Sequence, residues 1–203
     1  KSRSRGLGDV YKRQTYASQH PERIAGLVAL NTGAFELPND TGVAWQIRAF
    51  RSWLGPALIA GANAFCRGAA RWCAREPLRG EVRRAYLAPY ARWRDRKAVL
   101  RFVQDIPITP DDPGFAQLKA VEASFTAFRN IPALLAWGLR DFVFNEAFLE
   151  RWHALLPQAE VHRFDGGGHY LLEDHAHEVL GHVSRFLERT VSIPPSRPGL
   201  AEP

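Results

Sequence analysis

The stretch that decides the fold opens with PALLAWGLRD at residues 132–141 and closes with AEVHRFDGGGH at residues 159–169. PALLAW is a continuous apolar run that ends at a glycine, which is typical of a parallel strand buried on both faces. Residues 146–156, between the two segments, repeat apolar side chains at helical spacing, and residues 174–190 do the same. This order of strand, helix, strand and helix predicts a parallel α/β sheet.

An earlier apolar run has the same character as PALLAW. It reads IAGLVAL at residues 24–30 and predicts another buried parallel strand. Residues 15–23, just before it, are typical of a helix end that stops ahead of Pro21. Residues 36–128 differ, because they are rich in Trp, Arg and Ala and combine helical spacing with repeated prolines. We therefore expect several helices there, inserted between two parts of one sheet.

The composition is that of an ordinary globular protein, with 203 residues of which 46% are hydrophobic and 24% charged. It excludes a disordered tail protein, a collagen-like chain and a disulfide-stapled mini-protein. No run approaches the about 20 apolar residues of a membrane span. Cys66 and Cys73 lie too far apart along a helical stretch to form a disulfide, and free thiols predict a reducing, cytoplasmic location.

The net charge of +6 is concentrated at the start of the chain. Residues 1–14, KSRSRGLGDVYKRQ, hold five basic side chains and one acidic side chain. We interpret this segment as a non-native leader that resembles a translated sequencing-adapter remnant; the alternative is a basic arm that binds phosphates. The rest of the chain carries 22 basic and 20 acidic side chains, so we expect no nucleic-acid partner.

The two ends of the chain carry expectations of their own. The sequence contains no Met, and we expect an N-terminally truncated fragment. Residues 191–203 are rich in proline and predict a flexible tail.

Two polar residues follow the predicted strands. Asp141 comes just after the first strand of the deciding stretch, and His169 comes just after the second. Catalytic groups of open α/β sheets collect at the carboxyl ends of the strands. A histidine held by a carboxylate is the base and its orienting partner in a catalytic triad. The glycines at residues 166–168 would let the backbone turn sharply before His169. The alternatives are a turn or helix-cap role for Asp141 and an incidental His169.

The motifs now point to a family. The chain resembles the α/β-hydrolase superfamily, in its haloalkane-dehalogenase-like branch, and is most similar to the β-lactone decarboxylases of long-chain olefin biosynthesis. The segments that carry the resemblance are YASQHPERIAGLVALNTGAFELP, LRFVQDIPITPDDP, WGLRDFVFNEAFLERW and DGGGHYLLED. The resemblance implies the C-terminal part of an α/β-hydrolase fold, with a parallel sheet and an inserted helical lid. The core would be residues 15–35 and 129–190, and the lid, or cap, would be residues 36–128.

The same resemblance implies roles for individual residues. His169 would be the general base that activates water, and Asp141 would be the acid that orients it. Asn31, Trp45 and Phe142 would contact an apolar small-molecule substrate, although a loop-capping role for Asn31 and a packing role for Trp45 stay open. No cofactor, no metal and no membrane span are implied, and assembly with other olefin-pathway enzymes would be compatible with the resemblance.

The family's nucleophile should lie on a strand–turn–helix elbow about nine residues before Tyr16. That position falls near Leu7, where neither Ser4 nor Asp9 follows an apolar strand. We therefore expect the chain to lack its nucleophile and to be inactive alone. For the parent protein, a carboxylate nucleophile acting on a lactone or haloalkane-like substrate is the first interpretation. A serine esterase or epoxide hydrolase, and a non-catalytic binding protein, are the alternatives.

We interpret the histidines of the last predicted helix and the tryptophans of the helical segment as structural residues. His175, His177 and His182 share the last predicted helix with Glu178, but the HExxH spacing of a helical zinc site is absent, so a solvated helix face is expected. Most of the tryptophans between residues 45 and 93 are expected to pack inside the helical segment.

Overall fold

The computed structural model describes residues 16–36 and 45–190 and contains one three-stranded parallel sheet. The strands are β1 (Leu27–Leu30), β2 (Ala133–Gly138) and β3 (Glu160–Phe164), and β2 lies in the middle. Leu30 is paired with Ala136 in β2, and Gly138 is paired with Phe164 in β3. The parallel sheet predicted from the sequence is confirmed.

The central position of β2 explains its composition. All six of its residues, ALLAWG, are buried, because helices cover both faces of the strand. Alternate side chains point to opposite faces. One core contains Leu135 and Trp137 with Phe128, Phe148 and Trp152, and the other contains Leu134 and Ala136 with Val179 and Phe186. Strand β3 is only partly buried, which explains why charged and apolar residues mix within it.

Two helices follow the strands in the second half of the chain. Helix α6 (Glu146–Leu155) begins after Asn145, whose side chain accepts a hydrogen bond from the N–H of Ala147 at 3.2 Å. The helix predicted over residues 174–190 is observed as α8 (Ala176–Thr190). A separate short helix, α7 (Leu171–Asp174), precedes it, with the break at His175. Asp174 is held at this break, because its carboxylate accepts the N–H groups of Arg75 and Gly168 at 2.7–3.0 Å.

The segment before β2 is helical in its described part, residues 45–128, and no strand occurs there. Its helices are α1 (Trp45–Arg51), α2 (Ala64–Trp72), α3 (Gly80–Leu87), α4 (Lys97–Gln104) and α5 (Phe115–Ser124). Shorter turns lie between and around them: a π-helical turn at Ala57–Gly61 and 3-10 turns at Pro21–Arg23, Ala88–Tyr90 and Phe125–Phe128. The interpreted leader, the tail and residues 37–44 of the predicted cap lie outside the described residues.

The tryptophans of the helical segment differ from expectation. Trp45, Trp53, Trp72 and Trp93 are 56–86% exposed, although most were expected to pack inside. The short helices bury smaller side chains instead, such as Ile59, Ala70 and Val103. Among the described residues, no helix combines the length and apolar character needed to cross a membrane.

A polar clamp holds the helical segment together. Arg51, at the end of α1, donates to the backbone oxygens of Gln104 and Ile106 and pairs with Asp112. Asp112 also accepts the N–H groups of Ile108 and Thr109, both at 2.8 Å. Burial alone would raise the pKa of Asp112, but these hydrogen bonds and Arg51 hold it below its ordinary value. The ionised carboxylate therefore stabilises the fold.

We expect Asp112→Ala to lower the free energy of unfolding by about 2 kcal/mol at pH 7, because two N–H groups and a guanidinium lose their acceptor. The measurement is urea denaturation, with Asp111→Ala, at an exposed neighbouring carboxylate, as the control. A carboxyl whose folded pKa is lowered contributes stability above its unfolded pKa and loses it as the pH falls through the folded pKa. The difference should therefore shrink below about pH 4. Equal effects of the two variants at pH 7 would contradict the clamp.

Candidate functional site

The carboxyl ends of β2 and β3 bring together the two polar residues that the sequence singled out. Asp141 lies three residues beyond the end of β2, where its N–H donates to the oxygen of Gly138 at 3.2 Å. His169 follows β3 after the glycine turn at residues 166–168. Nδ1 of His169 lies 2.8 Å from Oδ2 of Asp141. The carboxylate only accepts, so Nδ1 carries the proton and Nε2 is left as the basic nitrogen.

Hydrogen bonds fix the carboxylate of Asp141, which can therefore hold His169 in one orientation. Its side chain is 0% exposed, and Oδ1 accepts the N–H of Val143 at 2.7 Å. Oδ2 accepts from Nδ2 of Asn31 at 2.9 Å as well as from His169. A buried carboxylate without such donors would be costly, and three donors make the ionised form tolerable. An imidazolium formed at His169 would thus face a fixed negative charge.

Asn31 joins the end of β1 to this pair. Its φ of 34° lies in the left-handed region, which asparagine tolerates better than most residues. Its Nδ2 also donates to the oxygen of Gly138 at 3.1 Å, and its Oδ1 accepts the N–H of Gly138 at 2.8 Å. The side chain is therefore directed to Asp141 and to the end of β2. This geometry joins Asn31 to the acid, and of the two roles left open for it, substrate contact and loop capping both stay predictions.

The glycines before His169 allow neighbouring backbone segments to approach closely. Among the described glycines, only Gly80 has a positive φ, so residues 166–168 do not need glycine for backbone conformation. A Cβ on Gly168 would lie 2.7 Å from the backbone oxygen of Cys73, and one on Gly167 would lie 3.0 Å from Cα of Gly138. The chain does turn between β3 and His169, but glycine is needed there for close contacts and not for a left-handed φ. The glycines let three backbone segments meet beneath His169.

A cavity of about 200 Å³ lies beside His169. It is lined by Leu30, Tyr86, His169, Tyr170, Leu171, Leu172 and Glu173. The ring of His169 also lies near the rings of Phe144 and Tyr170, with centroids 5.6 and 5.9 Å away. Three of the lining residues are leucines, which fits an apolar ligand next to the basic nitrogen.

The two tyrosines of the cavity and its carboxylate were not foreseen from the sequence. Tyr86, on α3, donates to Oε1 of Glu173 at 2.7 Å and lies with its ring centroid 5.3 Å from that of Tyr170. Burial, followed by the hydrogen bond to Glu173, raises the pKa of Tyr86 to about 12. Burial raises the pKa of Tyr170 further. Both phenols therefore stay protonated at neutral pH; the O–H of Tyr86 is donated to Glu173.

Three other sequence predictions concern nearby side chains. Trp45 begins α1, is 73% exposed and is not among the residues that line the cavity. Phe142 follows Asp141 directly, is 40% exposed and is not among the lining residues either. Substrate contact by these two residues stays a prediction. Both cysteines are free, as expected, and burial followed by the charge of Asp141 raises the pKa of Cys73 to about 12.

Comparison with known proteins gives the chain a context. The pattern of the α/β hydrolase fold family matches residues 14–176. A cis-3-alkyl-4-alkyloxetan-2-one decarboxylase from Shewanella oneidensis is 42% identical over 180 residues, which are 88% of this chain and 57% of that protein. The enzyme of the same name from Xanthomonas campestris pv. campestris is 43% identical over 176 residues, 86% of this chain and 58% of that one. The chain thus spans less than two thirds of either relative.

Dehalogenases are more distant relatives. A haloalkane dehalogenase from Bradyrhizobium diazoefficiens is 30% identical over 142 residues, 70% of this chain and 46% of that protein. Among solved structures, a loop variant of the haloalkane dehalogenase DbeA from Bradyrhizobium elkanii superimposes with a TM-score of 0.76 at 25% identity, covering 90% of this chain and 65% of that one. Haloalkane dehalogenases are thus similar to this chain both in sequence and in fold.

Proposed function

Because this chain belongs to the α/β hydrolase fold family, we propose that it carries the acid–base half of a hydrolase-type active site. His169 is the general base and Asp141 is the carboxylate that orients it. The observation that carries this proposal is the 2.8 Å contact between Nδ1 of His169 and a fully buried Asp141 at the carboxyl edge of the sheet. Asn31 acts through Asp141 as a positioning residue.

The substrate class that we propose is an apolar β-lactone with alkyl groups on two ring carbons. Two relatives above 40% identity act, by their names, on such oxetan-2-one rings. The leucines beside His169 supply an apolar wall for alkyl chains, and the phenol of Tyr170, which also lines the cavity, supplies a donor for a lactone oxygen. Tyr86 comes from the helical segment, which supports our assignment of residues 36–128 as a cap over a core of residues 15–35 and 129–190.

The reaction we propose uses a carboxylate nucleophile that lies outside residues 1–203. The nucleophile attacks the ring carbonyl, one ring C–C bond and one C–O bond break, and an alkene leaves. Water activated at Nε2 of His169 then attacks the CO2 unit left on the nucleophile, which releases bicarbonate and a proton. Lactone and water are thereby balanced by alkene, bicarbonate and a proton. Without that nucleophile, the 203-residue chain does not turn over the substrate.

Haloalkane hydrolysis is the second candidate, supported by the dehalogenase relative and by the superposition on dehalogenase structures. It would use the same His169 and Asp141: the carboxylate would displace halide to form an alkyl ester, and water activated at His169 would hydrolyse that ester to release an alcohol and a proton. The alternatives are a serine esterase, an epoxide hydrolase and a non-catalytic binding protein. The identity of the nucleophile would distinguish among them. Association with other enzymes of an olefin-forming sequence stays a prediction.

A chimera tests the proposed function. The N-terminal part of the Shewanella oneidensis relative, up to the position aligned with Tyr16, is fused to residues 16–203. We expect the chimera to convert a cis-3,4-dialkyl-oxetan-2-one to alkene, measured by gas chromatography, and the 203-residue chain to convert none. Alcohol formation from a 1-haloalkane without any alkene from the lactone would favour the dehalogenase candidate. Turnover by the 203-residue chain, lost in its His169→Ala variant, would show that the nucleophile lies within it.

A further inference from the structure

A second cluster of chemically reactive side chains lies away from His169, at the outer strand β3. Glu160 and His162 are two residues apart on this strand, so both side chains point to the same face. Helix α8 packs across that face and brings His182 against them, with the ring centroids of His162 and His182 only 3.6 Å apart. Nε2 of His162 lies 2.6 Å from Oε1 of Glu160.

We propose that Glu160, His162 and His182 form a binding site for a divalent transition-metal ion of the zinc class. Each residue offers one ligand atom, and the three atoms lie within 4.8 Å of one another. A tetrahedral ion with bonds of about 2.0–2.2 Å holds its ligand atoms about 3.4 Å apart. The 2.6 Å contact between His162 and Glu160 would therefore lengthen and any wider separation would shorten, which small side-chain rotations achieve. Two imidazoles and one carboxylate are a donor set that suits zinc better than calcium or magnesium, which prefer oxygen ligands alone.

The two arginines beside the cluster limit its affinity for a cation. Arg189 pairs with Oε2 of Glu160, so Oε1 remains directed towards His162. Nη2 of Arg185 lies 3.2 Å from Nδ1 of His182, so the ion either takes Nε2 of that ring or displaces Arg185. Two nearby cations weaken the attraction for a third, and we expect moderate affinity in place of the tight closure of a four-ligand structural site.

The placement separates this site from the cavity beside His169. Glu160 and His162 lie in the amino-terminal part of β3, whereas His169 follows the carboxyl end of the strand. The proposal therefore does not depend on the proposed function. An ion here would link α8 to β3 and would stabilise the folded chain by mass action, because the ligands meet only after folding. His182 shares a helix with His175 and His177 in the sequence, but its ring lies against that of His162, a strand residue 20 positions earlier.

Calorimetric titration with ZnCl2 tests the site on the 203-residue chain without a histidine tag. We expect saturable binding of one ion per chain and a higher unfolding temperature with zinc. His162→Ala and His182→Ala should each weaken binding at least about 10-fold. His177→Ala, at an exposed position of the same helix, is the matched control and should bind as the unaltered chain does. Equal affinity of the unaltered chain and a His162→Ala/His182→Ala double variant would overturn the proposal.

A second measurement needs no variant. Zinc should protect His162 and His182 from acylation by diethyl pyrocarbonate, mapped by mass spectrometry, and should leave His177 as reactive as before. If His162→Ala fails to fold, the protection pattern of the unaltered chain alone tests the proposed metal site. Equal labelling of His162 with and without saturating zinc would then refute the site, and selective protection of the pair would support it.

Discussion

His169→Ala should lower kcat for lactone conversion by the chimera at least about 10³-fold, with a much smaller change in KM. The imidazole is the group placed to take a proton from water, and alanine leaves only the carboxylate of Glu173, which accepts the hydrogen bond of Tyr86, in the cavity lining. Asp141 cannot replace it, because its carboxylate is fully buried behind the ring. The measurement is a steady-state rate profile for alkene formation with purified protein.

The control for this prediction is His177→Ala, which removes an exposed imidazole that contacts neither Asp141 nor the cavity. It should leave kcat within about twofold of the unaltered chimera, as expected for a surface substitution. Circular dichroism would show that both variants fold alike. A folded His169→Ala chimera with more than a tenth of the original kcat would contradict the assignment of His169 as the base.

The fold could be predicted because burial on both faces leaves a clear mark in the sequence. A central parallel strand needs apolar residues at every position, and PALLAW supplies them. The boundaries were less accurate, since Ile24 closes the 3-10 turn through its N–H to the oxygen of Pro21 and pairing with β2 starts only at Leu27. Local apolar character does not reveal where a ladder of hydrogen bonds begins.

Only those site residues that directly follow a strand could be predicted from the sequence. Asp141 and His169 follow neighbouring strands, so the topology alone brings them together. The direction of Asn31 depends on its left-handed φ and on Gly138 opposite, which no local pattern specifies. Tyr86 was missed because its contact with Glu173 joins residues 87 positions apart. Such contacts are fixed by how the helical segment packs on the loop after His169, which sequence periodicity does not encode.

Gly138→Ala should be the most destabilising small substitution in this sheet, at about 3 kcal/mol. Its added Cβ would lie 2.5 Å from the backbone oxygen of Gly167 and 2.7 Å from that of Gly168. These are backbone atoms, which cannot rotate away as a side chain can. The clash is relieved only if the turn after β3 moves away from β2. That movement would strain the hydrogen bond from the backbone N–H of Arg140 to the oxygen of Gly167, which is 2.9 Å long. Urea denaturation at pH 7 measures the loss.

The same movement should damage the site, because Gly138 sits between its two halves. The N–H and the oxygen of Gly138 hold Asn31, while the turn that the new methyl group would push away leads directly to His169. Gly61→Ala is the matched control, since a Cβ there has nothing within 4 Å and a non-positive φ, and it should be neutral or stabilising by up to about 1 kcal/mol. Denaturation midpoints that agree between Gly138→Ala and Gly61→Ala would mean that the two strand ends are not in backbone contact. In that case the 2.8 Å contact between His169 and Asp141 would have no rigid support beneath it.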